Sequence, residues 1–226
     1  IPEPMSRAAL TIVLREVLRR NQVREGLIYL QISRGVAPRD HAFPEADLSP
    51  SVVITAKSLD RAASEAKAAK GITVITTPEN RWGRCDIKTV GLLPNVLARQ
   101  AARERGAGEA LFVDELGLIT EGASANAWIL DRDGVLRTRD TQANILRGVT
   151  RRTLLDVIAE AGLKVEERPF TPEDMAQAKE AFITGAGSLV LPVIAIDGQP
   201  IGGGAPGPVA KRLRSLYIER AKQTAV

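Results

Sequence analysis

Apolar positions recur at helical spacing soon after the chain begins. Leu10, Val13, Leu14, Val17 and Leu18 form one stripe within residues 6–25, which predicts an amphipathic helix capped by Ser6. "LIYLQIS" (27–33) alternates instead, with Ile28, Leu30 and Ile32 on one face, and "SVVITA" reads as a second strand beyond a proline-rich loop. "KSLDRAASEAKAAKG" (57–71) holds only one large apolar residue, so it is expected to be an exposed connection and to mark a domain boundary near residue 62.

From residue 71 onward strand and helix signals alternate. A strand at 71–77 is followed by a helix at 94–105, with Pro94 in its first turn and Gly106 at its end. "EALFVD", "GLIT", "NAWIL" and "VLRT" read as strands, the last two joined by a "DRDG" turn. "VTRRTLLDVIAEAG" predicts a helix closed by Gly162, and Thr171-Pro172-Glu173-Asp174 predicts a capped one. The strands "AFIT" and "LVLPVIAID" precede a final basic helix. The expected class is mixed α/β (α+β), a β core flanked by helices, with residues 1–62 and 63–226 as separate domains.

Composition narrows the functional classes. With 44% hydrophobic and 26% charged residues, the 226-residue chain has the make-up of a soluble globular protein. Its net charge of +4 is mild, and the basic stretches fit solvated helix faces. Few aromatic residues are left for base stacking, so no nucleic-acid partner is expected. The single cysteine suits a reducing compartment, read as the cytoplasm. One His and one Cys without a carboxylate cluster argue against a metal site. No stretch approaches the roughly 20 apolar residues of a membrane span. The sequence opens at Ile1 as though inside a longer protein, so upstream residues are expected.

Several segments could carry chemistry. "GGGAPG" (202–207) has the glycine spacing of a dinucleotide fingerprint, but too little chain follows for the second strand, so it reads as a turn. "RWGRCDIKTVGLLPN" (81–95) sets Lys88 between Ile87, Val90, Leu92 and Leu93, which suggests a desolvated amine kept for reaction. "ANILRGVTRRT" (143–153) opens a helix after a glycine and offers free N–H groups to an anion. "FITGAGSLV" (182–190) can fold its amides into a nest. "ITEGASANAW" (119–128) sets Glu121 before small residues that let something flat approach the backbone. Taken singly, each has a plain structural reading. An imine-forming lysine, an anion cradle and a carboxylate beside a small-residue platform are together what pyridoxal phosphate requires.

"RWGRCDIKTVGLLPNVLARQAA", "TEGASANAWI" and "NILRGVTR", in this order and spacing, resemble the fold-type IV pyridoxal-phosphate family of aminotransferases and lyases. The resemblance implies a two-domain enzyme, the first domain being the remainder of a small N-terminal one. Pyridoxal 5'-phosphate would attach to Lys88, and Glu121 would partner the pyridine nitrogen. Leu146 would pack on the ring, and Val149 and Thr150 would bind the phosphate, with Ser124 and the Ala186 amide also on the cofactor. "SRGVAPRDHAFP" (33–44) is similar to the signature of the family's D-amino-acid members, in which Arg39 and His41 would grip the substrate carboxylate. Trp82 and Cys85 are assigned to packing, and Arg84 to charge balance.

The expected activity is transamination of a D-amino acid such as D-alanine with a 2-oxo acid such as 2-oxoglutarate, in a homodimer that shares residues across its interface. The chain departs from the family pattern at Gly185, Ala186, Ala123 and Ala125, where hydroxyl residues are usual. The family's upstream arginine and tyrosine lie outside this sequence. Alternatives on the same fold are a branched-chain L-amino-acid aminotransferase and an aminodeoxychorismate lyase. A truncated non-catalytic relative is a further alternative.

Overall fold

A computed structural model describes residues 1–44, 47–142 and 144–223. Glu45 and Ala46 of the proline-rich loop, Ala143 of the "ANILRGVTRRT" segment and the last three residues lie outside the described set. The chain divides into two compact units, Ile1–Ala63 and Ser64–Val226.

The first unit is a helix, α1 (Arg7–Arg20), and an antiparallel hairpin of β1 (Gly26–Ser33) and β2 (Ser51–Ser58). Ser6 caps α1 as its pattern predicts, its hydroxyl accepting the Ala9 N–H at 3.3 Å. Ile28 and Ile32 are half-buried, whereas Leu30 of the same alternation is 37% exposed. No described residue of this unit is fully buried; two strands and one helix bury little on their own.

The stretch expected to be an exposed connection contains a helix, α2 (Arg61–Lys70). Its alanines are the strongest helix formers, and the Asp60 carboxylate accepts the Ala63 N–H at 3.0 Å at its start. Large apolar residues are the wrong criterion there, because buried Ala68 joins the core and Arg214 pairs with Glu65 at 3.0 Å.

The second unit is built on a mixed sheet. Its strands are β3 (Ile72–Pro78), β4 (Glu109–Val113), β5 (Ile119–Gly122), β6 (Asn126–Leu130), β7 (Leu136–Thr138), β8 (Val165–Glu166), β9 (Glu180–Gly185), β10 (Leu189–Ile196) and β11 (Gln199–Pro200). They run in the order β5-β4-β3-β10-β9-β6-β7-β8, with β11 added to β10. The pairs β3–β4, β3–β10 and β7–β8 are parallel, and the others are antiparallel.

Alternation along the strands sorts side chains into three clusters. Val74, Leu111, Ile129, Ile183 and Leu191 meet on one face with Phe170 and with Met175 of α5 (Pro172–Ala176). On the opposite face, Ile75, Ala110 and Phe112 pack on Ala98 and Ala102 of α3 (Leu93–Glu104). Trp128, Leu136 and Phe182 pack on Leu154 and Ile158 of α4 (Val149–Glu160) and on Leu213 of α6 (Pro208–Gln223). The expected β core flanked by helices is the observed one.

Punctuation residues do what their chemistry allows. Thr171 and Asp174 form a reciprocal capping box on α5, at 3.0 and 3.1 Å. The glycine-rich 202–207 segment is a turn ahead of α6, where buried Glu180 accepts the Val209 and Ala210 N–H groups at 3.0 and 2.8 Å. A side chain at Gly207 would collide with the Glu180 carboxyl. Among the described residues, no helix is long and apolar enough to cross a membrane.

Trp128 is the largest fully buried side chain among the described residues; it stacks on Phe182 with centroids 5.6 Å apart and donates its indole N–H to Thr184 Oγ1 at 2.9 Å. Trp128→Ala is expected to cost about 3–5 kcal/mol in denaturant unfolding, and Trp128→Phe clearly less, because the ring stack survives.

Candidate active site

Strand ends and helix starts of the second unit converge on one cavity of about 1130 Å³. Its walls come from the irregular segment after β3, the β5–β6 connection, the start of α4 and the end of β9. Lys88, Glu121, Ser124, Leu146, Val149, Thr150 and Ala186, singled out from the sequence, all line it. Arg39 and His41 belong to the first unit, on the loop between β1 and β2, and both side chains are exposed.

One end of the cavity is a buried ion cluster. Glu121, 4% exposed, receives the Arg81 Nη1–H on Oε1 at 2.6 Å. Its Oε2 accepts the Asn126 amide at 3.1 Å and the Leu146 N–H at 3.2 Å. Arg81 is in turn clasped by Glu79, with Nε on Oε1 at 2.8 Å and Nη2 on Oε2 at 2.6 Å. The Thr120 hydroxyl also donates to Glu79 Oε2, at 2.7 Å, and the guanidinium lies 4.4 Å above the Phe112 ring.

Burial acts on the two carboxyls with different results. At Glu121 it dominates and pushes the carboxyl above its usual range, against the pull of Arg81. At Glu79 the same burial is outweighed by hydrogen bonds from Arg81 and Thr120, and the carboxyl is held low. For Arg81, burial opposes the charge, but the two carboxylates keep it firmly cationic.

The start of α4 forms another wall. Gly148 caps it without a side-chain hydrogen bond, so the first-turn N–H groups meet no side-chain acceptor. Only glycine fits there, since a Cβ would lie 2.2 Å from Asn126 Oδ1. Buried Arg151 anchors this turn through the Arg139 carbonyl at 2.8 Å and Glu167 at 2.6 Å. The Gly185–Ser188 turn is held from behind by Arg214 of α6, which donates to the Ser188 and Val190 carbonyls at 3.0 and 2.9 Å.

Several expectations need correction. Lys88 is exposed rather than desolvated, because Ile87, Val90, Leu92 and Leu93 around it are themselves exposed and bury nothing. Trp82 is 52% exposed at the cavity and is not a packing residue, whereas Cys85 is buried. Ser124 does line the cavity, but its hydroxyl donates to buried Glu109 at 2.8 Å and so braces the β5–β6 connection. Arg84 pairs with Asp86 at 2.8 Å, as charge balance requires.

Sequence reasoning misses Arg81, Glu79 and Asn126. Arg81 opens the quoted "RWGRCDIK" stretch, and a buried guanidinium there could be suspected from two glutamates bracketing it across 40 residues. Glu79 lies two residues before Arg81, but nothing local pairs that guanidinium with Glu121. Pyridoxal phosphate fits the residues that are present: a buried carboxylate, an amine and an uncapped helix start share one cavity large enough for it.

The family model of class IV aminotransferases matches residues 1–196. The chain belongs to that family. It is 41% identical over 222 residues to a D-alanine aminotransferase of Bacillus licheniformis, covering 96% of this chain and 77% of the relative. The D-alanine aminotransferase of Staphylococcus haemolyticus is 38% identical, with 92% and 73% covered. Among solved structures, the branched-chain amino acid aminotransferase of Escherichia coli superposes with a TM-score of 0.83 at 27% identity, covering 97% of this chain and 73% of that one. A T.th. branched-chain amino acid aminotransferase, solved with pyridoxamine 5'-phosphate, gives 0.85 at 31%, with 98% and 73% covered. The fold expectation and the family expectation both hold.

Removing Arg81 would strand two buried carboxylates. Arg81→Met is expected to destabilise by about 3–5 kcal/mol at neutral pH. The stabilisation that comes with Glu79's lowered carboxyl is present above the ordinary carboxylate range and is lost as pH falls through its folded value. Glu121, held high, acts in the opposite sense as pH rises from its unfolded to its folded value. Without Arg81 both carboxyls are raised, so the deficit against wild type should narrow as pH approaches about 4. Denaturant unfolding across that range checks it.

Proposed function

We propose that this chain transfers the amino group of a D-amino acid, D-alanine among them, to a 2-oxo acid such as 2-oxoglutarate, with pyridoxal 5'-phosphate attached at Lys88. The observation that carries this reading is the single cavity on which Lys88, buried Glu121 and the uncapped start of α4 all open. The D-alanine aminotransferases at 41% and 38% identity support the D-amino-acid choice. So does the "PRDHAFP" loop carrying Arg39 and His41.

When bound, the cofactor supplies an electron sink for the amino-bearing carbon. The residues hold and serve it. Glu121 would hold the ring nitrogen, and Leu146 would pack on the ring. The Val149 and Thr150 amides and the Gly185–Ala186 turn would hold the phosphate. Arg39 and His41 bind the substrate carboxylate. The Lys88 amine, freed when the amino acid displaces it, would take the α-proton and deliver it to the cofactor carbon that Lys88 had held, as a single positioned acid–base.

A homodimer fits exposed apolar side chains near the cavity: Val90 at 71%, Leu93 at 68% and Val96 at 57%. The cytoplasm is the proposed location.

Borohydride reduction of the loaded protein followed by peptide mapping should place the pyridoxyl group on Lys88. Lys88→Ala should lower D-alanine turnover by roughly 10²–10⁴-fold. An adduct elsewhere overturns the Lys88 assignment. Turnover of L-leucine but not D-alanine would move the reading to a branched-chain aminotransferase, which the 0.85 TM-score also accommodates.

A further inference from the structure

Glu79 sits outside the proposed reaction, yet it is the carboxylate that grips Arg81 hardest. It takes two guanidinium nitrogens on two oxygens, at 2.8 and 2.6 Å, and also accepts the Arg81 backbone N–H at 3.1 Å. Glu121 receives only Nη1, at 2.6 Å. The three side chains are nearly dry, with 17%, 7% and 5% of their surfaces exposed for Glu79, Arg81 and Glu121. Two carboxylates share one guanidinium, so the cluster carries one uncompensated negative charge when both are ionised.

That excess charge falls on Glu121. Glu79's oxygens are filled by Arg81 and by the Thr120 hydroxyl at 2.7 Å. Glu121 Oε2 meets only the neutral Asn126 amide and the Leu146 N–H, and Glu121 is the one of the two carboxylates that lines the cavity. We infer that Glu79 is a positioning residue that tunes Glu121: by clasping Arg81 bidentately it fixes the guanidinium plane and withholds part of its charge, leaving Glu121 basic enough to share a proton with a ring nitrogen. A fork-to-carboxylate grip has just this directional character. The neighbouring charges agree in sense, since Glu79's negative charge raises the Glu121 carboxyl and Arg81's positive charge lowers it.

The inference rests on reading Glu121 as the partner of the cofactor's ring nitrogen. Other titratable groups near the cluster are the Cys85 thiol, which burial pushes up, and the Lys88 amine and Arg147 guanidinium, which line the same cavity. The test therefore follows Glu121 itself in the cofactor-free protein. Carbon-13 NMR of carboxyl-labelled glutamate, with Glu121 assigned by its loss in Glu121→Gln, reads its titration directly.

Glu79→Gln removes the charge and keeps the shape. Glu121 should then titrate at lower pH than in wild type, because Arg81 turns its full charge to it. Glu79→Asp keeps the charge and should stay close to wild type. In the loaded enzyme, Glu79→Gln should lower kcat about tenfold, the scale on which outer partners of a catalytic group act, with little change in KM for the amino acid. An unchanged Glu121 titration in Glu79→Gln, or equal shifts in the Gln and Asp variants, overturns the inference. If Glu79→Gln does not fold, Thr120→Val takes its place: loosening one hydrogen bond on Glu79 should move the Glu121 titration, and no movement counts against the inference. A shifted titration alongside no pyridoxyl adduct on Lys88 would leave the tuning standing and remove the proposed function alone.

Discussion

The structure around the cavity depends on one buried contact, the guanidinium of Arg81 held between Glu79 and Glu121. Three charges out of water are costly unless each meets partners of the right geometry. Here every Arg81 guanidinium nitrogen has a carboxylate oxygen within 2.8 Å, and the aromatic face of Phe112 covers its other side. The contact joins the segment after β3 to the end of β5. Through Asn126 and the Leu146 N–H it also reaches β6 and the approach to α4. Breaking it would release two of the cavity's walls from each other.

The sheet explains why those walls meet. β3 and β4 run parallel and are covered by α3, while β6 and β9 run antiparallel and are covered by α4 and α6. The cavity opens where these two covers leave the sheet, at strand ends and helix starts. Chemistry-bearing side chains there sit on short connections braced from rigid elements. Ser124 is tied to Glu109, Asn95 donates to the Ala123 carbonyl at 2.9 Å, and the Cys85 N–H donates to Asn144 at 2.9 Å. Positions on such connections are far better defined than those of free loops.

Much of this is legible in the sequence wherever the signal is local. Alternation and punctuation place the longer strands of the second unit (though not the two-residue β8 and β11), the Ser6 and Thr171 caps, and the helix ends at Gly106 and Gly162, both with positive φ. Motif order names seven of the residues that line the cavity, Lys88 and Glu121 among them. What escapes is non-local or depends on context. α2 escapes because its apolar content is alanine, a strong helix former but a weak marker of burial. Lys88 looks dry in sequence because its neighbours are apolar, but neighbours on an irregular segment need not cover one another. Glu121 meets the Glu79–Arg81 pair only through the fold, and Arg214's hold on the 185–188 turn is hidden in a helix that reads as merely basic.

The central claim is that this ion cluster presents Glu121 to the cavity as a carboxylate able to keep a bound ring nitrogen protonated. Nitrogen-15 NMR of the protein loaded with pyridoxal phosphate labelled at the ring nitrogen measures that state directly. The account predicts a protonated-pyridine shift at neutral pH that moves to the neutral form in Glu121→Gln. A neutral-pyridine shift in the wild-type protein, unaltered by that substitution, would contradict it.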